Sequence, residues 1–195
     1  MAFVDFDYRR RFTEAMKPQV PPDALRAARS LAGLSQSDVA SGCGLTRAWI
    51  SKMEAGKERV LQANLTLRSF YEHAGIEFLG TLDVGSGELS GIGARWRPPP
   101  GWPERTSESA GYHTERNGVA FLAARALAGL DQLSVARDVD LHKTVLARLE
   151  TGSFEPDAGD RLRQYYEAAG IEFLGWGDVS ENLHYGVGVR WKPPR

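Results

Sequence analysis

LSQSDVASGCGLTRAWISKMEAGK, residues 34–57, is the stretch on which the architecture of this chain turns. Ser35 followed by Asp38 is a capping box, in which the serine oxygen accepts from a first-turn N–H and the acid accepts in return from the cap. A short helix therefore starts at Ser35 and ends near Gly42. Gly44 supplies the permissive backbone of a tight turn. Thr46 then caps another helix that runs to about Ala55, where Gly56 stops it.

Working outward, Leu25, Ala28, Leu31 and Ala32 recur at helical spacing, and Gly33 closes that helix, which spans about 22–33. Downstream, Leu67, Phe70, Tyr71 and Ala74 mark a fourth helix near 63–74, ended by Gly75. GIEFLG (75–80) and GIGARWR (91–97) follow as strands. Ile76 and Phe78, then Ile92, Ala94 and Trp96, alternate with other residues, the period of a half-buried strand. Helix, capped short helix, glycine turn and second short helix is the helix-turn-helix order, in which the later helix enters the DNA major groove.

The chain then repeats itself. AARSLAGL at 27–34 returns as AARALAGL at 123–130, and GIEFLG returns intact at 170–175. With one residue lost in a loop, Gln36 matches Gln132, Glu54 matches Glu150 and Trp96 matches Trp191. The second copy predicts helices near 116–129, 132–138, 142–151 and 158–169, then strands GIEFL and YGVGVRW. Asp140 replaces the turn glycine, and Asp tolerates left-handed backbone better than most residues. His142 replaces the capping Thr46.

The expected fold is mainly α with small β additions: two tandem repeats, each a four- to five-helix helix-turn-helix domain followed by a two-stranded β element. The strand pairs could join across a pseudo-two-fold axis. The expected divisions are an N-terminal arm at 1–21, domains at 22–97 and 113–195, and a Pro-rich linker at 98–112. The RRR run at 9–11 fits either a minor-groove arm or, given Phe3, Phe6, Tyr8 and Phe12 around it, a short helix packed on the body or a partner.

The 34–57 stretch resembles the Cro and phage-repressor-like (XRE) helix-turn-helix family, whose pattern Gln36, Ala40, Gly44, Ile50, Glu54 and Gly56 satisfy. DQLSVARDVDLHKTVLARLETG at 131–152 keeps Gln132, Ala136, Leu146, Glu150 and Gly152, and departs from it at Asp140 and His142. The resemblance implies DNA binding without a cofactor. It places base-reading residues at Arg47, Ala48 and Lys52, with Gln36 approaching DNA from the start of its helix, and Thr46, Trp49 and Ser51 beside them. The corresponding second-repeat residues are Gln132, His142, Lys143, Thr144 and Arg148. Arg can give guanine two hydrogen bonds and Gln can do the same for adenine. The resemblance also pairs Arg29 with Glu54 and Arg125 with Glu150 as structural salt bridges, so those arginines are not expected to read bases.

Composition sets limits. The net charge of −1 lacks the basic excess of many nucleic-acid binders. Lys plus Arg against Asp plus Glu is 9 to 8 over 22–97 and 10 to 12 over 113–195, so the first copy is the more basic. The single Cys43 forms no internal disulfide and fits a buried thiol in a reducing compartment. No apolar run approaches the roughly 20 residues of a membrane span, and no signal-peptide pattern opens the chain, so a cytoplasmic protein is expected. The histidines have no metal-ligand spacing and no catalytic motif appears, which points away from an enzyme. Trp96 and Trp191 read as strand core rather than base-stacking platforms.

The leading expectation is a sequence-specific transcriptional regulator that reads a two-part operator in double-stranded DNA. The alternative is a protein-binding antagonist or adaptor in which the second helix-turn-helix is an interaction surface. A homodimer formed through strand edges is a further partner expectation.

Overall fold

A computed structural model describes residues 19–101 and 111–194. The expected arm up to residue 18 and the linker from 102 to 110 lie outside the described residues. Helices α1 (Pro22–Leu31), α2 (Gln36–Cys43), α3 (Arg47–Glu54) and α4 (Leu61–His73) lead into strands β1 (Ile76–Leu82) and β2 (Leu89–Trp96). After the two-residue β3 (Thr114–Glu115) come α5 (Phe121–Ala128), α6 (Gln132–Asp138), α7 (Lys143–Glu150) and α8 (Pro156–Ala168), then β4 (Ile171–Asp178) and β5 (Leu183–Trp191). Pro22 opens α1, where its missing N–H costs nothing.

The strands form one antiparallel sheet. β1 pairs with β2 from Ile76 opposite Trp96 to Leu82 opposite Leu89, and β4 pairs with β5 from Ile171 opposite Trp191 to Asp178 opposite Leu183. β2 joins β5 directly: Gly93 faces Arg190, Ala94 faces Val189 and Arg95 faces Gly188. Only glycine fits at two of these places. A Cβ on Gly93 would run into Val189 and Arg190, and one on Gly188 into Ala94 and Arg95. β3 pairs with β5 at Tyr185 and His184, on the edge that β2 also uses.

The helices bury their apolar stripes against this sheet and each other. Leu25, Ile50, Leu67, Tyr71 and Ile76 lie fully inside, as do Leu127, Leu146, Leu162, Tyr166 and Ile171, within one continuous core. α1 packs along α5, so the layer of helices is as continuous as the sheet.

Two expectations are corrected. The helix predicted from 116 begins only at Phe121. Thr114 and Glu115 are drawn into the sheet, and Asn117 Oδ1 accepts from Val119 N at 3.1 Å in a turn whose Gly118 lies too close to the His184 ring to carry a side chain. Cys43 is half-buried rather than buried, because it is the last residue of α2, with Ala40 O 4.0 Å from its sulfur.

Candidate nucleic-acid interface

The α2–α3 unit is built by its caps. Ser35 Oγ accepts from Asp38 N at 3.2 Å, and Asp38 Oδ2 accepts from Ser35 N at 2.8 Å, closing the capping box. Those bonds hold the Asp38 carboxyl below its usual range. Gly44 turns the chain at φ 71°, and Thr46 Oγ1 caps α3 by accepting from Trp49 N at 3.3 Å.

A buried acid fixes α3 to its neighbours. Glu54 accepts from Arg29 Nε at 2.6 Å and Nη2 at 3.0 Å, and from Gln36 Nε2 at 2.9 Å. Burial alone would lower the Arg29 pKa, but the hydrogen bonds and charge of Glu54 outweigh it and raise it above the ordinary value. Gln36 therefore spends an amide N–H inside the scaffold.

The opposite side of α3 faces solvent. Ile50, Met53 and Glu54 are buried, whereas Thr46, Arg47, Ala48, Ser51 and Lys52 are exposed and Trp49 is half-buried. The Lys52 ammonium sits 5.9 Å from the Trp49 ring centroid and 3.3 Å from Glu58 Oε1. The face is polar, cationic at both ends and held rigidly from behind.

α6 and α7 are arranged in parallel fashion with different parts. Asp131 caps α6, accepting from Leu133 N and Ser134 N at 3.0 Å each, and its bonds to Ser134 hold its carboxyl low. Asp140 takes the left-handed turn at φ 53°, and His142 Nδ1 caps α7, accepting from Thr144 N at 3.4 Å. Arg125 Nε pairs with Glu150 Oε1, Arg125 Nη2 donates to Oε2 at 3.1 Å, and Gln132 Nε2 donates to Oε2 at 2.8 Å. His142, Lys143, Thr144 and Arg148 are exposed, and Arg148 Nη2 lies 2.6 Å from Glu155 Oε1. Leu133 on α6 is 66% exposed, and Phe154, between α7 and α8, is 90% exposed.

Sequence reasoning missed the residues that tie one set of helices to the other. Arg26 on α1 donates to Ala126 O at 2.8 Å and Leu127 O at 3.2 Å in α5, and to Glu54 O at 2.5 Å. Asp23 Oδ2 accepts from Trp191 Nε1 at 2.8 Å. Trp96 is buried and stacks on His113, ring centroids 3.6 Å apart, and its Nε1 has no partner among the described residues. No local pattern signals contacts spanning a hundred residues or more.

A short capped helix, a left-handed turn and a second helix that buries one side and offers a cationic other define a helix-turn-helix DNA-binding architecture. Residues 23–75 match the family model described as a helix-turn-helix domain, which is the fold of DNA-binding regulators. No curated protein and no solved structure matches the chain. Among the described residues no helix is long and apolar enough to cross a membrane, and no cluster of His, Cys, Asp and Glu is placed to hold a metal ion.

Proposed function

We propose that this chain is a sequence-specific, XRE-type transcriptional regulator, active in the cytoplasm, whose domains at 22–97 and 113–195 are duplicated helix-turn-helix units reading two halves of one operator. The register of β2 on β5 carries this reading. Exchanging sequence-matched residues turns the Gly93–Arg190 pair into Gly188–Arg95, and leaves Ala94 opposite Val189. Such a register supports a two-fold relation between the units rather than a head-to-tail one. An operator with inverted half-sites about one DNA turn, roughly 34–36 Å, apart mirrors that symmetry. The chain then does alone what a homodimer does elsewhere.

In this reading Arg47, Ala48 and Lys52 face the bases of one half-site, and Lys143, Thr144 and Arg148 those of the other. Thr46, Trp49, Ser51 and His142 lie toward the backbone, Gln36 and Gln132 approach the DNA from the starts of α2 and α6, and the amino-terminal N–H groups of those helices meet phosphate. Phosphate contacts fix position while base contacts specify sequence. Selection of bound DNA from a random pool tests the proposal, repeated with Arg47→Ala and Lys143→Ala. Each change is expected to relax specificity in its own half-site, by about 1–3 kcal/mol per lost bidentate pair. Failure to select any sequence overturns the proposal, and an unchanged motif with Lys143→Ala removes the second reader.

One observation favours a second reading for α6–α7. Leu133 and Phe154 are exposed apolar side chains, and Asp138, Asp140 and Asp157, within a few residues of one or the other in the sequence, are exposed acids. That surface suits a protein partner as an antagonist or adaptor would use it. A salt titration separates the readings: DNA binding weakens steeply as counterions compete, whereas an interface with an apolar centre responds weakly.

A further inference from the structure

We infer that Asp23 and Arg26, one turn apart on α1, are positioning residues that lock the two recognition helices, α3 and α7, at one separation and thereby set the half-site spacing the protein accepts. The inference rests on the two-reader proposal above for its DNA consequence, but its structural core stands on the contacts alone.

Arg26 joins three carbonyls from two helix ends. Ala126 and Leu127 lie in the last turn of α5, and Glu54 is the last residue of α3. Carbonyls at a helix C-terminus carry partial negative charge and spare acceptor capacity, even Ala126 O, which also accepts from Gly129 N at 3.2 Å, so a guanidinium is well suited to cap them. Its planar fork of five N–H groups can serve both ends at once, which a lysine ammonium cannot do with fixed geometry. The end of the first recognition helix is thus linked through Arg26 to the end of α5 in the second domain.

The surroundings make this clamp matter. A cleft of about 490 Å³, lined by Arg26, Arg29, Leu122, Arg125 and Gly129, opens between α1 and α5. Apolar packing is therefore incomplete beside the arginine, and the guanidinium spans the gap. Asp23 adds a second tie from the same helix face, through Trp191 Nε1 on β5. The β2–β5 join itself is only three residue pairs long, so the sheet alone fixes the separation weakly.

Neither tie is duplicated. In the repeat, Leu122 stands where Arg26 does and Val119 where Asp23 does, so the matching Trp96 Nε1 is left without a partner among the described residues. A symmetric dimer would make each contact twice. This chain makes both from α1, as a single lock between fused halves.

Spin labels on Ser41→Cys and Arg137→Cys, both exposed and at matched positions on α2 and α6, in a Cys43→Ala background, measure the separation without DNA. The expected result is a narrow distance distribution in the parent that at least doubles in width with Arg26→Leu, which copies Leu122. Asp23→Val, which copies Val119, is expected to broaden it and Asp23→Asn, which keeps an acceptor for Trp191, to restore it. Unchanged widths in Arg26→Leu and Asp23→Val overturn the lock. If Arg26→Leu fails to fold, Arg26→Lys replaces it and the Asp23 pair still decides.

With the selected operator in hand, half-sites are moved apart by two base pairs, about one fifth of a turn. The parent is expected to lose at least tenfold in affinity and Arg26→Leu less than threefold. Equal losses overturn the spacing role. If the parent binds no DNA, the proposed function falls, while the distance distributions still decide whether the lock exists.

Discussion

Glu54 shows what one buried side chain does for the exposed face of α3. It is 4% exposed and accepts from both Arg29 and Gln36, so its loss leaves a guanidinium that is only 22% exposed without its counter-charge, bonded still to Leu34 O. Removing one partner of a buried pair is strongly destabilising, and Glu54→Ala is expected to cost about 3 kcal/mol, measured by urea denaturation followed by circular dichroism. A cost below about 1 kcal/mol would show the pair to be solvated. Tyr71 and Tyr166 give a second residue-scale expectation. Burial, reinforced by the charges of Glu54 and Glu150, pushes both phenols well above their ordinary value, and neither hydroxyl has a partner among the described residues. The folded value lies above the unfolded one of about 10. The neutral phenols therefore leave stability whole below pH 10, and it falls as pH rises beyond that. Replacing both by Phe is expected to flatten the alkaline fall in melting temperature and to change stability at neutral pH by only about 1 kcal/mol. A variant that loses stability above pH 10 as steeply as the parent would contradict this.

At the scale of elements, the join between β2 and β5 depends on two glycines with no space for a methyl group. Gly93→Ala or Gly188→Ala forces the strands apart, an overpacking expected to cost about 1–3 kcal/mol, read in calorimetry as a melting transition that is split or broader than the parent's. A sharp, unshifted transition would mean that the helices hold the halves together without the sheet. The elements themselves were readable because their signals are local. Ser35 with Asp38, Gly44, Thr46 and Gly75 punctuate the chain within a few residues of the boundaries they set, and Asp140 takes the left-handed turn expected of it. The late start of α5 was not readable, since Thr114 and Glu115 owe their extended form to Tyr185 and His184 far along the chain. The same holds for the site. Exposure of Arg47 and Lys143 follows from helical spacing, whereas the carbonyls that Arg26 finds on α5 leave no trace near residue 26.

For the whole molecule, two readers fused into one chain, as proposed, are each free to diverge, because no symmetry operation copies a change from one face to the other. The exposed side chains at matched positions already differ: Arg47 against Lys143, Ala48 against Thr144, Lys52 against Arg148. Arginine offers guanine a rigid two-bond fork where lysine is a point charge, and a threonine methyl can meet a thymine methyl. The two half-sites should therefore prefer different bases at corresponding positions. Each good side-chain pair discriminates by about 1–3 kcal/mol, or about 5- to 150-fold. The triple variant Arg47→Lys, Ala48→Thr, Lys52→Arg gives α3 the side chains of the matched α7 positions, the proposed reading residues, on an unchanged scaffold. None of the three side chains packs in the core, so folding should be untouched. Selection from random DNA is expected to return an operator whose half-sites have moved toward one inverted sequence, with the second half-site unaltered. If instead the selected first half-site stays as it was, α3 does not read those bases. If both half-sites shift together, the two domains do not read independently.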